Sequence, residues 1–82
     1  MMVTLKIFGT MRVKTGVGEL SLKAGRIDSM LPAVIENSKL SSTVKVKDLR
    51  ECIVMKNGIQ CDMKTEAQDG DTVVLLSPSG GG

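Results

Sequence analysis

The chain has 82 residues, a net charge of +2 and 41% hydrophobic residues, enough for one small aliphatic core and too short for a second domain. That charge is too small to argue for nucleic-acid or membrane binding, and no apolar stretch approaches the roughly 18 residues of a membrane-spanning helix. With no histidine, the commonest metal ligand and general base is missing, and Phe8 is the only aromatic side chain.

Residues 3–8 read as a strand, because Val3, Leu5 and Ile7 alternate with Thr4 and Lys6. Gly9-Thr10 ends that alternation, and residues 11–18, with Lys14, Thr15, Gly16 and Gly18, read as a connection. Gly16-Val17-Gly18 lacks the length and the following lysine of a phosphate-binding loop and reads as a turn. Residues 19–23 resume the alternation through Leu20 and Leu22.

After the break at residues 24–26, Ile27, Leu31, Val34 and Ile35 form a helical stripe. Asp28 or Ser29 is the expected N-cap, Pro32 falls in the first turn, and Asn37-Ser38 is expected to end the helix. Ser41, Ser42 and Thr43 continue as a polar loop. Residues 44–47 alternate too briefly to be more than a loop or a short edge strand. Lys39, Lys45, Lys47 and Arg50 gather basic charge in this region, which reads as a solvated face or as a guide for an acidic partner.

Residues 51–56 read as a third strand. Asn57-Gly58 then signals a two-residue hairpin turn, and residues 59–62 form the return strand. This hairpin sets Val54 opposite Cys61 and Cys52 opposite Met63, which leaves the cysteines diagonal, with Cα atoms roughly 7–8 Å apart. That is too far for an unstrained disulfide, so Cys52 and Cys61 are read as reduced thiols, each a small apolar filler or a reactive group. Their reduced state agrees with a cytoplasmic location, as does an N-terminus without the pattern of a secretory signal. Residues 63–68 read as irregular, Asp69-Gly70 as a turn, and residues 72–76 as a continuously apolar strand, central and covered on both faces. Ser77-Pro78-Ser79 stops it, and Gly80-Gly81-Gly82 follows.

The order strand, strand, helix, strand, strand, strand predicts an α+β domain of the β-grasp (ubiquitin-like) class. Its mixed sheet of four to five strands is covered by one main helix. Residues 1–77 form the domain and residues 78–82 a flexible tail. Three glycines are the costliest residues to order, so they suit a tail that threads a narrow channel and presents its terminal carboxylate. A frayed end is the bland alternative.

The stretch from Asp69-Gly70-Asp71 through Thr72-Val73-Val74-Leu75-Leu76 and Ser77-Pro78-Ser79 to Gly80-Gly81-Gly82 resembles the C-termini of the MoaD/ThiS family of sulfur carriers. Leu5-Lys6-Ile7-Phe8-Gly9-Thr10-Met11-Arg12 is similar to the start of the MoaD branch, and Lys56-Asn57-Gly58 to the family's Asn-Gly hairpin. Residues 26–50 match by pattern alone. Leu75-Leu76 and Pro78-Ser79 depart from the phenylalanine before the prolines and the β-branched residue before the glycines that many members carry, which bears on how the tail docks. One extra glycine loosens it.

The resemblance implies a carrier without catalytic side chains of its own and without a metal or a permanently bound cofactor. An E1-like enzyme would adenylate Gly82 with ATP, and a sulfur donor protein would convert the acyl-adenylate to a thiocarboxylate. Gly80, Gly81 and Pro78 would thread the partner's active site, over roughly 20 Å from Ser77 to Gly82. Leu75, Leu76 and exposed methionines, with Lys56 and Arg50 as charged guides, are the expected docking residues, although both leucines also read as ordinary core. The implied role is the small subunit of molybdopterin synthase, donating sulfur to a pterin precursor on a large catalytic subunit. A sulfur carrier for thiazole synthase in the thiamine pathway is the alternative within this class. A ubiquitin-like modifier joined through Gly82 to lysines, or a β-grasp interaction module with an inert tail, are the alternatives outside it.

Overall fold

The computed structural model describes residues 1–38 and 43–77. In chain order the elements are β1 (Met2–Phe8), α1 (Thr10–Thr15), β2 (Glu19–Lys23), β3 (Gly25–Arg26), a 3-10 turn (Ile27–Met30) running into α2 (Leu31–Glu36), α3 (Val46–Arg50), β4 (Ile53–Lys56), β5 (Ile59–Cys61), β6 (Glu66–Ala67) and β7 (Thr72–Leu76). The main sheet has the order β2-β1-β7-β4-β5, while β3 and β6 form a separate small pair. β1 and β7 run parallel and the other neighbours antiparallel. A parallel pair needs a long crossover, and here almost the whole chain supplies it.

One face of the sheet carries Val3, Leu5, Ile7, Val54, Val73 and Leu75, all buried against Ile27, Met30, Leu31, Val34 and Leu49. Each fully buried aliphatic side chain contributes about 1.5–3 kcal/mol. The helical cover is divided: the 3-10 turn and α2 supply Ile27, Leu31 and Val34, and α3 supplies Leu49. The expected caps are not made. Met30 stands at the N-cap of α2, while Asp28 turns back to Arg26 at 2.6 Å and Ser29 Oγ donates to the Arg26 carbonyl. Ile27 and Met30 are buried in this 3-10 turn, and its two polar side chains bond to Arg26 ahead of it, so neither caps an amide at the start of α2.

Two segments not expected to be helical, one read as a connection and one as a loop or short edge strand, form helices. Residues 10–15 form α1, which begins after Gly9 and ends on Gly16 in the left-handed conformation. Thr15 is fully buried there, its hydroxyl donating to the Met11 carbonyl and accepting from the Val17 N–H. Val13 points outward, so α1 lacks the apolar stripe that marks a helix in sequence. Residues 46–50 form α3, where the Asp48 carboxylate reaches back to the Lys45 N–H at 2.8 Å and Leu49 enters the core. The alternation at residues 44–47 is too short to distinguish this from a strand.

The remaining corrections are small. β4 starts at Ile53 and β5 ends at Cys61, and residues 66–67 of the expected irregular stretch form β6. β7 has the expected bounds and central position, but only Val73 and Leu75 are fully covered, and the opposite face is half-buried. Val54 does lie opposite Cys61, whereas Cys52 falls before β4 and has no strand partner. Both cysteines are free thiols.

Candidate functional site: an apolar sheet face beside the root of the tail

Residues paired across a ladder share a face, so the register defines the side of the sheet away from the helices. One row runs Glu19, Lys6, Val74, Met55, Gln60 from edge to edge. The next row is Phe8, Leu76, Ile53. Five apolar side chains thus sit together with polar residues on both flanks, and none of the five is fully buried. Phe8, at 40% exposure, is the most open of them. A contiguous apolar patch with a polar rim is the usual form of a protein-binding surface.

Phe8 and Leu76 also mark where two strands end together. β1 turns into α1 at Gly9, and β7 gives way to Ser77, the last described residue before the tail. Gly9 has φ 79° and ψ −151°, a backbone conformation open essentially to glycine alone. It has no side chain to cap α1, and Ser77 supplies the cap instead. Its Oγ accepts from the Met11 N–H at 2.9 Å and makes a long 3.4 Å contact to the Phe8 carbonyl. The root of the tail is therefore joined to the corner between β1 and α1.

The opposite end of the sheet is held by the two turn motifs. Asn57, at φ 52°, donates through Nδ2 to Asp71 Oδ1 at 2.9 Å and accepts from the Thr72 N–H at 2.9 Å. Asp71 Oδ2 accepts from the Gln68 N–H, and Asp69 accepts from the Met2 N–H. The Gln68 amide first, and then Asn57, hold the Asp71 carboxyl below the usual carboxylate range. This network has the geometry of a clamp on the start of β7.

The expected docking residues divide between these regions. Leu76 lies in the apolar patch. Leu75 has no exposed surface and belongs to the core, because period 2 turns neighbours to opposite faces. Lys56 pairs with Val73 at the far end of β7 from the tail, and its ammonium donates to the Glu66 carbonyl at 3.2 Å. Arg50 is exposed on α3 and is not on the open sheet face; the Asp28 pKa is lowered chiefly by its hydrogen bond to Arg26, with the Arg50 charge acting in the same direction. Pro78, Gly80, Gly81 and Gly82 lie outside the described residues, as do Lys39, Ser41 and Ser42. Phe8, Ile53, Val74, Gly9 and Ser77 escaped the sequence reading, and Met55 was covered only by the general expectation of exposed methionines. The signal for Phe8, Ile53, Met55 and Val74 was their phase, since each falls out of step with the core-facing residues of its strand.

Cys52 is buried beside the Asp48 carbonyl, and burial pushes its thiol pKa up, opposite to what a reactive cysteine needs. No helix among the described residues is long and apolar enough to cross a membrane.

No family model matches the sequence, and no curated protein matches it significantly. Solved structures do. The chain is similar to one chain in the complex of subunits 1 and 2 of molybdopterin-converting factor from Helicobacter pylori 26695, at 27% identity over 100% of both chains and a TM-score of 0.62. It is also similar to small archaeal modifier protein 1 from Haloferax volcanii, at 16% identity, 99% coverage of both and a TM-score of 0.71. Urm1 from Trypanosoma brucei matches at 17% identity over 99% of this chain and 95% of its own, with a TM-score of 0.67. The architecture is the β-grasp of ubiquitin-like proteins. The resemblance to MoaD-type proteins read from both ends of the sequence and its central Asn-Gly hairpin is matched by a likeness in structure that covers 100% of both chains.

Proposed function

We propose that this protein is a sulfur carrier whose Gly82 is adenylated by an E1-like enzyme, converted to a thiocarboxylate, and used as a sulfur source in cofactor biosynthesis. The observation that carries the reading is the convergence of an apolar sheet face, centred on Phe8, Leu76 and Val74, with the root of a glycine tail at Ser77. A partner gripping that face receives the tail beside it. From Ser77 to Gly82 the extended chain reaches at most roughly 20 Å, enough to enter a recessed site while the folded body stays outside.

The chemistry explains why the carrier needs no catalytic side chains. A carboxylate is a poor electrophile until one oxygen becomes a good leaving group. ATP on the partner enzyme supplies that: the carboxylate takes the adenylyl group and pyrophosphate leaves. A persulfide on a donor protein then displaces AMP to form an acyl disulfide. A second thiol attacks the donor's sulfur, breaking the S–S bond so that the thiocarboxylate stays on Gly82 and the two thiols leave as a disulfide. The likeness to a chain of the molybdopterin-converting-factor complex favours molybdopterin as the product and a large synthase subunit as the acceptor. Thiazole synthase is the alternative acceptor, and the cytoplasm the expected compartment.

The test is mass spectrometry of the C-terminal peptide from protein purified from its own cells. A thiocarboxylate on Gly82 supports the carrier. Replacing oxygen by sulfur adds nearly the mass of one methionine oxidation, and the chain has six methionines, so the shift must be placed on the glycine tail and shown to react as a thioacid. A tail found only in isopeptide linkage to lysines overturns the carrier in favour of a modifier. A tail that is neither sulfurated nor conjugated leaves an interaction module.

A further inference from the structure

We infer that Ser77 is a positioning residue: its hydroxyl latches the root of the tail to the β1–α1 corner and so sets where, and in which direction, the tail departs. The inference rests on the carrier reading for its functional consequence and on three local observations for its existence. The last ladder pairs of β7 place Leu76 against Phe8 and Ile53, so hydrogen bonding in the sheet ends one residue short of Ser77. Ser77 is then held by a different contact, the 2.9 Å bond from the Met11 N–H across 66 residues of sequence. This bond is possible because Gly9 leaves space for it, since a Cβ on Gly9 would lie 2.9 Å from Ser77 Oγ.

A helix start leaves its first N–H groups without partners, and an N-cap side chain normally satisfies the second or third. Gly9 brings none. The Met11 N–H therefore selects the Ser77 hydroxyl, and the unmet need of a short helix fixes a residue that would otherwise be the first of the tail. Releasing Ser77 would move the last anchored residue back to Leu76, adding one residue, roughly 3.4 Å, to the reach toward Gly82 and leaving the point and direction of departure less defined. The sheet face is untouched by that release. Docking should therefore persist while fewer docked molecules present Gly82 correctly, the cost expected when a reacting group is less well oriented.

The experiment compares the wild type with Ser77→Ala and Ser77→Thr in two readouts. The first is NMR on the free protein, measuring amide exchange at Met11 and the heteronuclear NOE at the Ser79 and Gly80 amides. In Ser77→Ala, Met11 exchange should rise about tenfold or more and the NOE values should fall, while Ser77→Thr keeps both near wild type. Unchanged exchange, or faster exchange with unchanged NOE values, overturns the latch. The second is ATP–pyrophosphate exchange with the adenylating enzyme of the same organism. Ser77→Ala should lower kcat about three- to tenfold at unchanged KM, with Ser77→Thr restoring it. Unchanged kcat, or a change in KM alone, overturns the positioning role. If wild-type protein supports no exchange at all, the carrier reading fails, and the latch is then judged by the NMR readout alone.

Discussion

A Cβ on Gly9 would lie 2.9 Å from the hydroxyl oxygen of Ser77 and 3.1 Å from its Cβ, although the two residues stand at opposite ends of the sequence. The contact, with φ of 79° at Gly9, makes that position intolerant for two separate reasons. Gly9→Ala should destabilise the protein by roughly 1–3 kcal/mol in urea unfolding. In a Ser77→Gly background the steric part disappears and the backbone part stays, so the penalty should shrink without vanishing. An equal penalty in both backgrounds would mean that the Ser77 contact contributes nothing.

The open face and the core make opposite demands on neighbouring residues. Phe8→Ala should change stability by less than about 1.5 kcal/mol, because the ring is already 40% exposed. It should raise KM for adenylation tenfold or more, equivalent to about 1.4 kcal/mol of lost binding. Leu75→Ala, one residue from Leu76 but fully buried, should cost about 2–5 kcal/mol of stability. Unfolding curves and steady-state kinetics on both variants separate the two roles. An unchanged KM for Phe8→Ala would remove the face from the docking surface.

The Asn57–Asp71 clamp should show as coupling between two turns. Asn57→Gly keeps the left-handed turn conformation while deleting both side-chain bonds, to Asp71 and to the Thr72 N–H. A double-mutant cycle with Asp71→Asn should give an interaction energy of at least about 0.5 kcal/mol. Strict additivity would show that the pair does not act as a unit.

The same carboxylate predicts a pH dependence. The folded-state pKa of Asp71 is lowered, so folding favours its ionised form. That stabilisation is present in full above the ordinary aspartate range, about pH 4, and is lost as pH falls through the lowered value. Asp28, lowered by its bond to Arg26, acts in the same direction. Wild type should be more stable than Asp71→Asn at pH 7, and the difference should shrink toward pH 3. Denaturation midpoints at the two pH values check this, and a gap that widens in acid would contradict it.

Thiol labelling should distinguish the cysteines. Cys61 is half-buried, while Cys52 is buried with a raised pKa, so Cys61 should react faster in the native protein and both should titrate as free thiols after denaturation. Equal native rates would contradict the burial of Cys52.

Much of the architecture was legible because it depends on neighbours in the chain. Val3, Leu5 and Ile7 show the core phase of β1, Asn57-Gly58 sets the register of Val54 on Cys61, and Asp69-Gly70 and Ser77 bracket β7 to the residue. Strand period and turn chemistry are local properties. α1 and α3 were not legible for the same reason. α1 has no apolar stripe and is completed by a cap from Ser77. α3 is five residues long, and Leu49 alone ties it fully into the core.

The candidate site divides along the same line. Sequence by itself determined the glycine tail, the apolar strand before it and the order of elements that makes a β-grasp. Only the tertiary structure decided that Leu75 turns into the core while Leu76 joins Phe8, Ile53, Met55 and Val74 on the open face, and that Ser77 binds the Met11 amide. A continuously apolar strand carries no sign of which face will be covered. A hydrogen bond across 66 residues exists only once β1 and β7 lie side by side.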